Sequence, residues 1–322
     1  MKGITKPKGI GIAAITSLLA ALLVTMSFAP GVISAYDEPE AHWEKDNSAR
    51  AYIGSEWINA YIAGSVGYFG APWIPGRNVW EYNFRITGVG EVRDDNENPE
   101  ELCRNQAVQV KETVNKEHQV IWTSTDKRYI GAWPHSGTNA EYYDVAYAVT
   151  SLAISAINSY ASFALSAAGL VAALVNACDD KQDGETVWRQ WDYSPDQTDV
   201  GHWFWWLHDV DPNQEVKFTV DDYLFGPGYE VVSVGWGFTC TTPSPPGKMS
   251  AAEMEKYDID VIAINELKGR ADELHMAPET VEELLKQEEP IYYAHNLPVV
   301  VTPHQPEPPV FLPKILEKLG EK

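Results

Sequence analysis

From Trp80 to Thr87 apolar and polar side chains alternate without a break: Trp80, Tyr82, Phe84 and Ile86 against Glu81, Asn83, Arg85 and Thr87. Successive side chains of an extended chain point to opposite faces, so this rhythm predicts a half-buried strand, one face on a core and one in water. The rhythm returns at 215–225 with Val216, Phe218 and Val220, and at 229–240 with Val232, Val234, Trp236, Phe238 and Cys240. Gly226, Pro227 and Gly228 between them predict a hairpin or a sharp sheet corner. Weaker strand patterns cover 106–114, 118–125 and 186–193, and Asp211-Pro212-Asn213-Gln214 has the chemistry of a type I turn. The run His202, Trp203, Phe204, Trp205, Trp206 has no polar face and predicts a central strand buried on both sides; with one face exposed it would suit stacking on sugar rings. Roughly six to eight short strands with regular turns predict a mainly β (α+β) protein, an antiparallel β-sandwich.

One stretch departs from this pattern. Residues 145–178 carry no charged side chain. On a helix, Ser151, Ser155, Asn158, Ser159, Ser162, Ser166, Gly169 and Asn176 fall in one stripe about 100° wide, with the large apolar residues opposite. This predicts a long apolar helix inserted mid-chain, at 140–178. It would run about 50 Å, more than the roughly 30 Å of a bilayer core. Its flanks, Glu141 and Asp144 before and Asp179, Asp180, Lys181 and Asp183 after, are mainly acidic and lack the basic excess of a cytoplasmic membrane boundary. Packing by the sandwich itself is therefore the expected arrangement. Insertion into a bilayer, with the serine stripe lining water, and burial on self-association are the alternatives.

Thr242 to Gly247, rich in proline, closes the sandwich domain of 36–242 and opens a proline-linked helical C-terminal tail, 243–322. Ser250 with Glu253 forms a capping box ahead of apolar positions Tyr257, Val261, Ile264, Leu267, Ala271 and Leu274. The tail has little core of its own and is expected to dock on the sandwich or on another chain. At the other end, Lys2, Lys6 and Lys8 precede an uncharged run from Gly9 to Ala29. This reads as an export signal over 1–35, cut after Ala35 or kept as a membrane anchor. Lys8-Gly9 followed by Ile10, Gly11 and Ile12 also resembles the processing site of archaeal pilin-type and archaellin-type filament subunits, which implies a retained, polymerising helix. The resemblance covers about the first 30 residues and lacks the usual downstream glutamate.

The formal net charge of -22 argues against nucleic acid and anionic lipid as partners of a broad basic surface. Three cysteines in an oxidising compartment allow one disulfide. Cys178 with Cys240 would staple helix to sheet, with Cys103 as the alternative partner, and no CxxC spacing suggests a zinc site. Asp209, Asp211, Asn213 and Glu215 alternate across a turn as hard oxygen ligands of a calcium loop would, without the glycine of an EF-hand. Asp94, Asn96, Asn98 and Glu101 repeat the pattern, and Asp179, Asp183 and Gly184 form a third acidic turn. His202 and His208, on one strand about 20 Å apart, cannot share an ion. Gly64-Ser65-Val66-Gly67 only approximates a nucleophile elbow, because Tyr68 to Pro72 cannot open the required helix. No phosphate-binding loop, dinucleotide fingerprint or HExxH motif occurs.

These features predict a secreted or cell-surface, non-enzymatic protein with a structural, adhesive or binding role and no cofactor beyond calcium. Its expected partners are proteins or further copies of itself, met through the tail or the apolar helix, with membrane contact as an option. A membrane-inserting or pore-forming protein acting through helix 145–178 is the first alternative. A pilin-like filament subunit follows, and an extracellular hydrolase comes last.

Overall fold

The alternating segments form strands, and those strands make two facing sheets. The computed structural model describes residues 39–96, 98–124, 130–133, 174–176, 181–182, 185–228, 230–287 and 289–307. The first sheet holds β1 (Ala41–Ile53), β2 (Glu56–Tyr68), β4 (Val79–Asp94) and β11 (Asp199–Val210) side by side, with β6 (Gln119–Trp122) and β7 (Ile130–Trp133) on the far edge of β11. The second holds β13 (Glu230–Thr241), β12 (Glu215–Gly226), β5 (Cys103–Val114) and β10 (Thr186–Gln197), with β8 (Leu174–Asn176) and β9 (Lys181–Gln182) on the outer edge of β10. All these pairings are antiparallel. The predicted two-sheet, mainly β architecture is therefore present.

Between the sheets the even-numbered residues of β4, β11, β12 and β13 interlock. Phe84 lies 5.3 Å, centroid to centroid, from both Trp206 and Phe218, and Phe218 stacks on Phe238 at 5.1 Å. Such ring contacts add about 0.5–1.5 kcal/mol each beyond the area they bury.

The outer face of the first sheet departs from expectation. Glu81, Asn83 and Arg85, expected in water, are 1%, 3% and 6% exposed, so β4 is buried on both faces, as is most of β11. The cause is the C-terminal segment, which lies over this face. Thr280 donates to Glu81 at 2.6 Å, Asn83 donates to the His275 carbonyl, and Tyr293 donates to the carbonyls of Phe69 and Leu274. A second small core of Ile74, Val79, Leu267, Met276, Leu284 and Ile291 forms beneath it.

The segment is also less helical than its periodicity suggests. The capping box forms as read, with Ser250 N donating to Glu253 at 2.8 Å, but helix α1 stops at Ala251–Lys256. Asp258, at φ 49°, turns the chain into β14 (Ile259–Ile262), whose edge pairing with β15 (Ile291–Ala294) replaces helical hydrogen bonds. Helices α2 (Ile264–Arg270) and α3 (Pro278–Leu284) lie between them in sequence. β15 joins the first sheet through β3 (Ala71–Ile74), and β16 (Val299–Thr302) extends the second sheet beyond β13.

Most of the apolar helix expected at 140–178 lies outside the described residues, as do the export signal at 1–35 and the end of the tail. Leu174, Val175 and Asn176 are described and pair with Ser194, Tyr193 and Asp192 of β10, so a helix does not continue through them. The free edge of β10 supplies backbone partners that favour a strand there. Among the described residues no helix is long and apolar enough to cross a membrane.

Because Glu81 and Asn83 take their partners from the C-terminal segment, a chain ending at Thr242 is predicted to lose cooperative folding. Circular dichroism during urea unfolding checks this. A sigmoidal transition at the full-length midpoint would refute it.

Candidate functional site

The β1–β2 hairpin closes through Gly54 and Ser55, with Ile53 opposite Glu56 and Gly54 at φ 66°. That left-handed backbone is one glycine adopts without cost, as a two-residue hairpin turn requires. The register sets Tyr52 opposite Trp57 and Arg50 opposite Asn59, all on one face. Tyr52 and Trp57 are 59% and 45% exposed, against the buried or half-buried rings of the sandwich core. Their rings meet edge to face at 5.2 Å, and the Arg50 guanidinium lies 4.6 Å from the Trp57 ring centre. Asp95 accepts from Arg50 at 2.5 Å and from Asn59 at 3.4 Å. The tip thus carries an aromatic ridge bordered by donors and acceptors.

Beside it, the β2–β4 register brings Ile58 opposite Asp94 and gathers Glu56, Asp94 and Glu100, whose ligand oxygens lie within 4.8 Å of one another. Asp94 accepts from the Asn98 side chain and the backbone amides of Asn98 and Asn96, each at 2.8 Å. Those bonds, the Asn98 side chain foremost, hold its carboxyl below the usual range. Hard carboxylate oxygens at this spacing suit calcium. The acidic loop was legible, but Asn96 and Asn98 serve Asp94 as donors. Glu100 takes the place read for Glu101, and Glu56 arrives through strand register, for which local spacing gives no signal.

Asp209, Asp211, Asn213 and Glu215 do not converge. Asp209 is buried against Arg77 and the Trp122 indole N–H at 3.2 Å, while Asp211 pairs with His118 at 2.9 Å. Asn213, at φ 59°, accepts from Ser244 at 2.8 Å, and Glu215 lies 4.0 Å from Lys217. The segment is a turn whose acidic side chains each serve a different neighbour. Cys103 and Cys240 are buried free thiols, and Cys178 lies outside the described residues. The alternative Cys103–Cys240 bond is ruled out by register. Cys240 faces Val216 at one end of β12 and Cys103 lies beyond Phe225 at the other, about 30 Å along the strand, against the 7 Å a disulfide spans. His208 bonds Gln119 at 2.7 Å, and His202 faces Asp222 in the core.

A titratable cluster that sequence reasoning missed clamps the C-terminal segment. Arg77 bonds Asp209, Glu81 at 2.5 Å and Glu283 of α3 at 3.1 Å. Asp209 and Glu81 are direct cross-strand partners. Burial, with Asp209 adding to it, pushes Glu81 up to about 7. With all four of their oxygens bonded to protein groups, the two carboxylates form a clamp rather than an acid–base pair open to substrate.

No protein-family model matches the chain, and no curated protein does. Among solved structures it is similar to the major pilin subunit of Bacillus cereus, BcpA, at 7% identity and a TM-score of 0.25, covering 60% of this chain but only 38% of that one. It is similar to a collagen-binding domain from a Staphylococcus aureus adhesin at 9% identity and a TM-score of 0.20, over 53% of this chain and 95% of that one. The Clostridium perfringens NetB toxin in its membrane-inserted form aligns at 8% identity and a TM-score of 0.24, over 62% and 97%. All three scores lie below 0.5, and the functional reading rests on this chain's own geometry.

Arg77→Met leaves three carboxylates without their cation, two of them buried, and is predicted to cost about 3–5 kcal/mol of stability in urea unfolding. Two sets of groups govern the pH profile. Glu81 and Glu112, pushed up from 4.5 to about 7 by burial, contribute fully below about pH 4.5 and lose the contribution as pH rises toward 7. His202, His208 and His275, pushed down to about 3 by burial, favour it above about 6.5 and lose the contribution as pH falls. Above about pH 6.5 only the carboxyl set still titrates, so stability is predicted to fall from there to pH 8. A profile that rises steadily to pH 8 would contradict this.

Proposed function

We propose that this chain is an exported, non-enzymatic surface protein with a structural and adhesive role, and that it meets glycan ligands at the β1–β2 hairpin tip. The observation that carries the reading is the exposed Tyr52–Trp57 ridge, set at the end of a sandwich whose other described aromatic rings are buried or half-buried. A sugar ring offers an apolar C–H face to an aromatic ring and hydroxyls to planar donors and acceptors, here Arg50, Asn59 and Asp95. Glu56, Asp94 and Glu100 would hold a calcium ion beside it, which could accept a pair of vicinal hydroxyls. The signal read at 1–35 supports work outside the cell, and the net charge of -22 disfavours strongly anionic ligands.

A second reading is kept by one observation, the uncharged stretch at 145–178. In it the protein acts on membranes, and the tip aromatics anchor at the interface. Leakage from neutral lipid vesicles separates the two readings.

Immobilised glycans probed with the mature protein should give binding that falls at least about tenfold in the double variant Tyr52→Ala/Trp57→Ala, the loss of one or two kcal/mol of stacking. Chelation should weaken binding as well, and Glu56→Gln should reproduce that loss. Undiminished binding by the double variant, or leakage without glycan binding, would overturn the reading.

A further inference from the structure

His202 of β11 and Asp222 of β12 face each other from opposite sheets, His202 Nε2 3.5 Å from Asp222 Oδ1, with both side chains 0% exposed. Neither ring nitrogen has a hydrogen-bond partner, and the carboxyl meets no donor but the Tyr223 amide. Glycines make the room. Gly88 stands opposite His202 in register and Gly64 opposite Gly88, and a Cβ on Gly88 would lie 2.1 Å from Asp222 Oδ2. Trp191 stacks on the imidazole at 4.7 Å, closing the site from β10.

The groups facing the pair are few. β10 adds Tyr193, whose hydroxyl donates to Gln106 of β5 at 2.8 Å, and Arg189, which bonds Thr123 at 3.0 Å and lies over Phe204. β5 also adds the buried Cys103 thiol, β13 adds Trp236, and the β2 and β4 positions are glycines. Asp221 points to the other face of β12, where His304 bonds it at 2.7 Å. The Tyr223 amide is the one group that favours an ionised Asp222, and burial outweighs it, holding that carboxyl well above its ordinary range. An imidazolium–carboxylate pair here would need further donors and acceptors to repay its desolvation, and the site lacks them. A neutral acid beside a neutral imidazole has far less desolvation to repay.

We propose that Asp222 keeps its proton at neutral pH and donates it to His202 Nε2, so that a neutral acid–imidazole contact latches the two sheets together and is undone by alkali. In the unfolded chain Asp222 is ionised above about pH 4, so folding takes up one proton. The latch contributes fully below that pH and is lost as pH rises toward the folded-state value. Across that range its share of the folding equilibrium constant falls about tenfold per pH unit.

The test uses the full chain labelled with 13C at aspartate carboxyls and 15N at histidine. The Asp222 carboxyl signal, assigned with Asp222→Asn, should stay at its protonated position from pH 5 to 7.5, with His202 neutral throughout. An Asp222 signal ionising near pH 4, or a charged His202, would overturn the proposal. Asp222→Asn, an isostere of the protonated acid, should fold and lose stability less steeply than wild type between pH 7 and 9, by up to about tenfold per unit in the folding constant. If that variant does not fold, Asp222→Ser and Asp222→Ala serve for assignment, and the wild-type carboxyl signal alone decides.

Discussion

Burial of β4 on both faces is the constraint on which the other parts of this structure depend. The inner face is apolar and meets the second sheet through Phe84, Phe218 and Phe238. The outer face carries Glu81, Asn83 and Arg85, which cannot lie dry without partners. Thr280 and Arg77 bond Glu81, the His275 carbonyl accepts from Asn83, and the Arg85 guanidinium lies over the rings of Phe69 and Trp205 at 3.7 and 3.2 Å. The C-terminal segment is therefore part of the sandwich's solvent-excluding shell.

This arrangement sets where function can sit. With one face of the first sheet covered and the other in the core, its aromatic strand β11 is withdrawn from ligands. The hairpin tip escapes because β1 and β2 run past the end of the covered region to a two-residue turn, leaving Tyr52 and Trp57 exposed. The acidic trio beside them forms because the β2–β4 register brings Glu56 near Asp94. The buried charges elsewhere are committed to holding the fold.

The strands at 80–87, 215–225 and 229–240 were legible because period-2 alternation records an apolar face, and the run from His202 to Trp206 recorded burial on both; β1 and β2, which carry the hairpin tip, were not legible as strands. What escaped was whatever needs a distant partner. Glu81 and Asn83 look like solvent residues until a segment about 200 positions later covers them, and residue type alone cannot signal that. The tail's helical period failed at Ile259–Ile262 because edge pairing with β15 outweighs a modest helix preference. The candidate metal group was half legible: Asp94 and its loop stood out, while Glu56 needed strand register. Asp209 read as a ligand because its alternation with Asp211 was visible and its neutralising Arg77 was not.

Hydrogen exchange followed by mass spectrometry on the intact chain tests most directly whether the C-terminal segment belongs to the sandwich. Peptides covering β4, β11 and Ile259–Ala294 are predicted to open together, with the same free energy and the same dependence on denaturant. Exchange of Ile259–Ala294 at low protection while β4 stays closed would contradict it.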